Sequence, residues 1–204
     1  MESLKIRAAT SKDQQRIAEI IGDPGEEAIG LVGNRAAAAR LGVAIAMMPG
    51  GPQGWERSTV AEERGSVVGV IQCGGDIPQF TITPRLVWLT LRTLGLPRML
   101  GRIEAFRAMS RVQYPQPKGT YHIAELHVDP GQRGRGIGGS LLDWAEVNAR
   151  EQGFEVMSLV TTTSNPARRL YERHGFVVAE TKTDADYERY TGIKGRYLML
   201  KRLK

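Results

Sequence analysis

A chain of 204 residues is long enough to bury one substantial core, and 41% hydrophobic with 25% charged residues is the balance of a folded, soluble globular protein. That balance excludes a disordered or membrane-embedded chain, and the single cysteine, Cys73, excludes an intrachain disulfide or a cysteine-based metal cluster. A formal charge of +6 favours an anionic partner, which nucleic acid, an acidic membrane surface or a polyphosphate cofactor would each satisfy.

Residues 1–7 lack the apolar stretch and cleavage site of a secretory signal, so a cytoplasmic location is expected. Residues 4–8 read as a first strand, after which Thr10 or Ser11 caps a helix running to Ile20, with Ile17, Ile20 and Ile21 on its buried side. Residues 25–47 are rich in alanine and compatible with helix, and Pro49-Gly50-Gly51-Pro52 ends them. The β-branched segments 58–62 and 67–73 flank Arg64-Gly65, which predicts a hairpin.

Residues 78–118 break this rhythm. Two short helices, 85–95 and 98–112, bounded by Pro84, Pro97, Pro115 and Pro117, read as an insertion in a single domain of residues 1–204. Arg85, Arg92, Arg98 and Arg102 interrupt the longest apolar run, so no transmembrane span is expected. Met99, Ile103 and Phe106 recur at helical spacing while Arg98, Arg102 and Arg107 lie elsewhere, giving an amphipathic, cationic segment. Its expected place is against the domain or against a second copy in a homodimer, with its arginines in water; contact with a membrane surface or nucleic acid is the alternative. No zinc pattern, aromatic-rich RNA motif or recognition helix accompanies the positive charge, so nucleic acid is not an expected partner.

Regular alternation then resumes, with a strand at 121–128, a helix at 139–152, a strand at 156–161 and a helix at 166–174. Strands at 176–181 and 197–201 follow, around a polar stretch, 183–195, read as a surface loop.

Between the first strand and helix of that block lies Asp129-Pro130-Gly131-Gln132-Arg133-Gly134-Arg135-Gly136-Ile137-Gly138-Gly139. Glycines let backbone N–H groups converge without side-chain obstruction, the helix N-terminus adds about half a positive charge, and Arg133 and Arg135 add whole ones. An anion is the expected guest. A P-loop reading fails for want of lysine at Gly139-Ser140, and a kinase loop fails because neither His-Arg-Asp nor Asp-Phe-Gly occurs. A dinucleotide fold has the same element order, but residues 129–133 separate strand from glycine, and Thr161-Thr162-Thr163 stands where an acidic ribose ligand belongs.

Arg133-Gly134-Arg135-Gly136-Ile137-Gly138 behind Leu126-His127-Val128-Asp129-Pro130 resembles the GNAT superfamily of N-acetyltransferases, whose signature is Arg/Gln-x-x-Gly-x-Gly/Ala. Asn165-Pro166-Ala167-Arg168-Arg169-Leu170-Tyr171-Glu172-Arg173-His174-Gly175-Phe176 resembles that family's following helix, with its Leu-Tyr and Gly-Phe pairs. The resemblance implies an α+β fold: a mixed, splayed central sheet of six or seven strands flanked by helices, with acetyl-CoA in the gap. It implies that backbone groups of Leu126, His127 and Val128 bond the pantetheine arm. It implies that Arg133, Gly134, Arg135, Gly136, Ile137, Gly138 and Gly139 hold the pyrophosphate, and that Asn165, Ala167, Arg168 and Tyr171 line the cofactor on the other side. Asn165 stands one position beyond the family's usual asparagine, which here is Ser164. Leu159 stands where some protein N-terminal acetyltransferases carry glutamate, which points away from ribosomal-protein acetylation.

The implied reaction is acetyl transfer from acetyl-CoA to an amine acceptor by direct attack, with no metal required. Tyr171 is placed to protonate the departing thiolate. A lysine-like amine, with a pKa of about 10.4, is almost wholly protonated at neutral pH and needs a base, for which Glu125 and His122 are the candidates. Strand alternation puts those two on opposite faces unless a bulge intervenes. A coenzyme A-binding sensor or interaction module on the same fold is the other function this sequence fits.

Overall fold

The computed structural model describes residues 4–48, 53–75 and 83–203; Pro49-Gly50-Gly51-Pro52 and the first residues of the insertion lie outside them. Seven strands form one sheet: β1 (Lys5–Ala8), β2 (Thr59–Glu63), β3 (Ser66–Gly74), β4 (Tyr121–Val128), β5 (Val156–Thr162), β6 (Val177–Thr183) and β7 (Gly195–Arg202). Their spatial order is β1-β2-β3-β4-β5-β7-β6, and only β4 and β5 run parallel. The predicted hairpin is β2–β3, closed by Arg64 (φ 52) and Gly65 (φ 74). Positive φ at both central residues matches the right-handed twist of the flanking strands.

Helices cover both faces. On one, α7 (Ile137–Glu151) and α8 (Arg168–Arg173) bury Leu141, Leu142, Ala145 and Tyr171 against Ile71, Tyr121, Ile123, Met157, Leu159 and Met199. A Cβ on Gly69 would lie 2.9 Å from Ile137 Cγ2, so the bare glycine lets the start of α7 approach β3 closely. On the same face Cys73 Sγ lies 3.4 Å from Tyr121 Oη, and burial pushes this thiol up to about 11, which keeps it protonated and inert.

On the other face α1 (Gln14–Ile21) buries Ile17, Ile20 and Ile21 on Val60, Val67 and Val70, as the helical spacing of the isoleucines predicts. Residues 25–47 form two helices, α2 (Glu26–Val32) and α3 (Arg35–Ala46). Gly33 (φ 79) ends the first, and Asn34 caps the second by accepting from Ala37 N at 2.9 Å. The excursion between β3 and β4 holds three helices where two are predicted: α4 (Pro84–Leu94), α5 (Leu96–Leu100) and α6 (Ile103–Val112). Gly95 (φ 78) breaks the first from the second.

The stretch 183–195 is not a loop. It contains α9 (Ala185–Thr191), capped by Asp184, which accepts from Tyr187 N at 2.8 Å, and stopped by Gly192 (φ 73). Only Tyr187 of this helix is fully buried, with Ala108, Val112 and Ile193, while Tyr190 packs partly buried against them, too few apolar positions for a periodicity test.

Candidate active site

The parallel partners β4 and β5 pair only over Tyr121↔Met157, His122↔Ser158 and Ile123↔Leu159. Among the described residues the β5-facing edge of β4 has no strand partner beyond Ile123, so main-chain groups of residues 124–128 face an opening in the sheet. Asp129 turns the chain out of this edge. Its amide bonds Val68 O at 3.0 Å, its carboxylate accepts from Gly131 N at 2.8 Å, and Arg16 of α1 holds the other oxygen.

The glycine loop follows. Gly134 (φ 79) and Gly136 (φ 84) are both left-handed, with open space where a Cβ would stand, and α7 starts at Ile137. The first-turn amides of α7 have no intrahelical acceptor and carry the positive end of its dipole. Arg133 donates to Val128 O at 3.2 Å and to Asp23 at 3.3 Å. Arg135 makes a two-pronged bond with Glu63, both contacts 2.8 Å. Both guanidiniums are therefore held across the loop by carboxylates while staying exposed.

Opposite the loop, Asn165 Oδ1 accepts from Ala167 N at 2.9 Å and Asn165 Nδ2 donates to Thr161 at 2.7 Å. Asn165 thus bends the chain from β5 into α8. Arg168 stacks over Tyr197 at 4.8 Å and pairs with Glu172 at 2.7 Å.

The bulge on which the two candidate bases depend is present in β4. Gln72 pairs with Glu125 and Cys73 with Ile123, leaving Ala124 as the extra residue. Leu126 therefore rejoins Ile123 on the α7 face, while His122, Glu125 and His127 share the other. Sharing a face does not bring the two bases together. His122 lies where β4 and β5 are still paired, with Nδ1 at 2.9 Å from Ser158 Oγ, which in turn contacts Thr120 Oγ1 at 2.7 Å; burial drives the imidazole down to about 4. Glu125 lies on the unpaired edge.

The Glu125 carboxylate accepts from His127 Nε2 at 2.7 Å and from Gln53 Nε2 at 2.6 Å. Burial alone would raise it, but His127, Gln53 and the charge of Arg196 outweigh that and hold it below the ordinary carboxylate value. A quarter of its side-chain surface remains accessible, so water can reach it. Tyr171 of α8 is buried, with its ring edge-on to Phe176 at 6.3 Å. Burial and the charge of Glu125 push the phenol up to about 12, and among the described residues its hydroxyl has no hydrogen-bond partner. A protonated phenol and an ionised carboxylate thus lie within electrostatic reach of each other.

Arg196 of β7 is itself fixed by Glu27 of α2, at 2.8 Å from Nε, and by Gln113 at 2.9 Å; Tyr187 of α9 donates to the same carboxylate. Gln53, Arg196 and Glu27 are absent from the sequence-derived site because their partners lie 72 to 169 residues away, beyond any local pattern.

The sequence model of the acetyltransferase (GNAT) family matches residues 49–176, more than half of the chain. The chain belongs to the GNAT acetyltransferase family. Among similar proteins, the aminoalkylphosphonate N-acetyltransferase of Salmonella typhimurium is 46% identical over 55 residues, 26% of this chain and 36% of that protein. The alignment therefore spans about a third of the relative's own length. A crystal structure of an acetyltransferase superposes with a TM-score of 0.64 at 24% identity, covering 98% of this chain and 100% of that one. The PaiA N-acetyltransferase of Thermoplasma acidophilum, solved in complex with coenzyme A, gives 0.62 at 14% identity, covering 98% and 99%. At these identities the two structures establish the GNAT fold: a mixed α+β architecture with a seven-stranded sheet between helices.

Proposed function

We propose that this chain transfers acetyl from acetyl-CoA to an amine by direct attack, within a single domain of residues 1–204 that carries α4–α6 as a helical insertion. The observation that carries this reading is the opening of the β4–β5 pair beside the first turn of α7, with Glu125 on its edge and the buried Tyr171 phenol feeling the charge of that carboxylate. Main-chain groups of Leu126, His127 and Val128 suit an amide-bearing arm laid along the free edge, much as an added strand. The first-turn amides of α7 and residues 133–139 suit a diphosphate. The Salmonella relative is named for N-acetylation, which supports nitrogen as the accepting atom.

In this reading Glu125, steadied by His127 and Gln53, takes the ammonium proton directly or through one water. The neutral amine then attacks the thioester carbonyl, the carbon–sulfur bond breaks, Tyr171 protonates the leaving sulfur, and the proton shed by the acylated nitrogen returns through water to the phenol. A depressed carboxylate is a weak base for an amine. Its role is to orient the cation and pass a proton on to water, while the raised phenol stays protonated at neutral pH.

Thiol release from acetyl-CoA over a panel of amines tests the proposal. Turnover is expected, and Tyr171→Phe should lower kcat by about 100-fold or more while coenzyme A affinity changes little, because general acid catalysis contributes about 10²–10⁴. Tight coenzyme A binding with no turnover on any amine would instead make the chain a sensor or interaction module.

A further inference from the structure

We propose that the outer face of α4, α5 and α6 docks this protein on an anionic phospholipid bilayer. Arg92 and Arg98 are exposed on these helices, and the acid that follows them, Glu104, is paired with Arg107. The same helices carry five of the eight large apolar side chains that are exposed among the described residues: Val87, Trp88, Leu96, Leu100 and Ile103. Trp88, Leu96 and Leu100 each leave more than half of their surface in water.

These are not the inner faces of loosely packed helices. The inner faces are already used: Leu86 and Leu94 of α4 are buried, Leu94 against Val32, Ala38 and Leu41, and Ala108 and Val112 of α6 lie against Tyr187. The outer face is a second apolar surface. On α4 the sequence Arg85, Trp88, Arg92 repeats at three- and four-residue steps, so these side chains share one stripe, with the Arg92 guanidinium 5.2 Å from the Trp88 ring centroid.

Charge chooses the partner. In a symmetric dimer through this face Arg92 and Arg98 would meet their own copies, and like charges brought together oppose association. A nucleic acid would satisfy the arginines but leave Val87, Leu96, Leu100 and Ile103 against phosphate. An anionic bilayer satisfies both sets: aliphatic and indole groups enter the headgroup region while guanidiniums remain at the phosphates. No single helix among the described residues is long and apolar enough to cross a membrane, so the contact is peripheral.

Co-sedimentation with vesicles of phosphatidylcholine alone, and of phosphatidylcholine mixed equally with phosphatidylglycerol, tests this at low and physiological salt. Binding is expected to the mixed vesicles only, weakening as salt rises. Each arginine neutralised in Arg92→Gln and Arg98→Gln should weaken partition about fivefold. The double variant Leu96→Ser, Leu100→Ser, whose sites are already in water and whose circular dichroism and melting should match the parent, should lose at least about tenfold. Equal partition to both vesicle types, no partition at low salt, or unchanged partition of the leucine variant would overturn the proposal. So would a dimer in light scattering that the leucine variant dissociates, because the face would then belong to a second copy.

Discussion

The two sides of the β4–β5 opening are built by different means. On the side of α7 the candidate ligand groups are main-chain amides and the free edge of β4, positioned by left-handed glycines and a strand that stops pairing. On the side of α2, α6, α9 and β7 they are side chains held by other side chains across the whole chain, from Glu27 to Arg196. A site made of backbone depends on local spacing. A site made of side chains depends on which distant elements the fold brings together.

Glu125 stands where the two constructions meet, so among the changes that probe this contrast its own should have the largest effect. Glu125→Gln removes the carboxylate but keeps the hydrogen-bonding shape, and kcat for an amine acceptor should fall by about 100-fold. His122→Gln, at the closed end of β4 and tied to Ser158, should leave kcat within a few-fold and instead lower stability by about 1–2 kcal/mol, through the buried Ser158 and Thr120 hydroxyls. Because His127, Gln53 and Arg196 hold Glu125 below its ordinary value of 4.5, it stays ionised down to that pH and the rate limb assigned to it must lie lower. A pH–rate profile of both variants decides the matter: if the rate collapses in His122→Gln and survives in Glu125→Gln, the roles are reversed.

A matched pair of glycines sharpens the same contrast at smaller amplitude. Gly136 and Gly33 are both left-handed, at φ 84 and 79, but Gly136 opens α7 with free space around it, whereas a Cβ on Gly33 would collide with the Arg102 guanidinium. An L-residue in this region costs about 1–2 kcal/mol. In Gly136→Ala the loop can relieve that strain by moving, so the expected loss is about tenfold in coenzyme A affinity with little change in melting. In Gly33→Ala the strain and the displaced Arg102 should lower melting while leaving coenzyme A affinity intact. Calorimetric titration beside thermal melting of both variants separates them, and equal affinity losses in the two would dissolve the distinction.

The legibility of the sequence follows this division. The glycine loop, the strand before it and the helix carrying Tyr171 are contiguous motifs, so local spacing alone picks them out. The β4 bulge was foreseeable only as a condition: the Ile123-Ala124 doublet breaks the alternation of apolar and polar positions there, but a small alanine fits either face of a strand and does not by itself locate an extra residue. Gln53 follows Pro49-Gly50-Gly51-Pro52 in the sequence, and Arg196 follows a polar stretch without apolar periodicity; neither carries a local signal for the carboxylates it meets. The split of 25–47 into α2 and α3 was written in Gly33-Asn34, a C-terminal stop followed by a cap, which an alanine-rich composition masks.

The smallest effect concerns α9, the helix read as loop, which fixes Arg196 through Tyr187 and Glu27. Its cap, Asp184, receives Arg111 at 2.6 Å and Tyr187 N at 2.8 Å, and these, Arg111 foremost, lower the carboxyl from an ordinary 3.8 to about 2. A folded-state value below the unfolded one means that the stabilisation is complete above 3.8 and fades as pH falls through 2. Asp184→Ala should therefore lower melting at neutral pH by about 2–4 °C, corresponding to about 1 kcal/mol for a lost cap. Asp184→Asn keeps the capping oxygen but cannot titrate, so its melting curve should decline less steeply between pH 4 and pH 2 than the parent's. If the two decline in parallel, the acid sensitivity belongs to other carboxylates, with Asp13, held still lower by Arg7, the first to examine. Because α9 is tied to the opening through Tyr187, Glu27 and Arg196, the alanine variant should also raise KM for the amine more than KM for acetyl-CoA. A change confined to acetyl-CoA would place α9 on the backbone-built side after all.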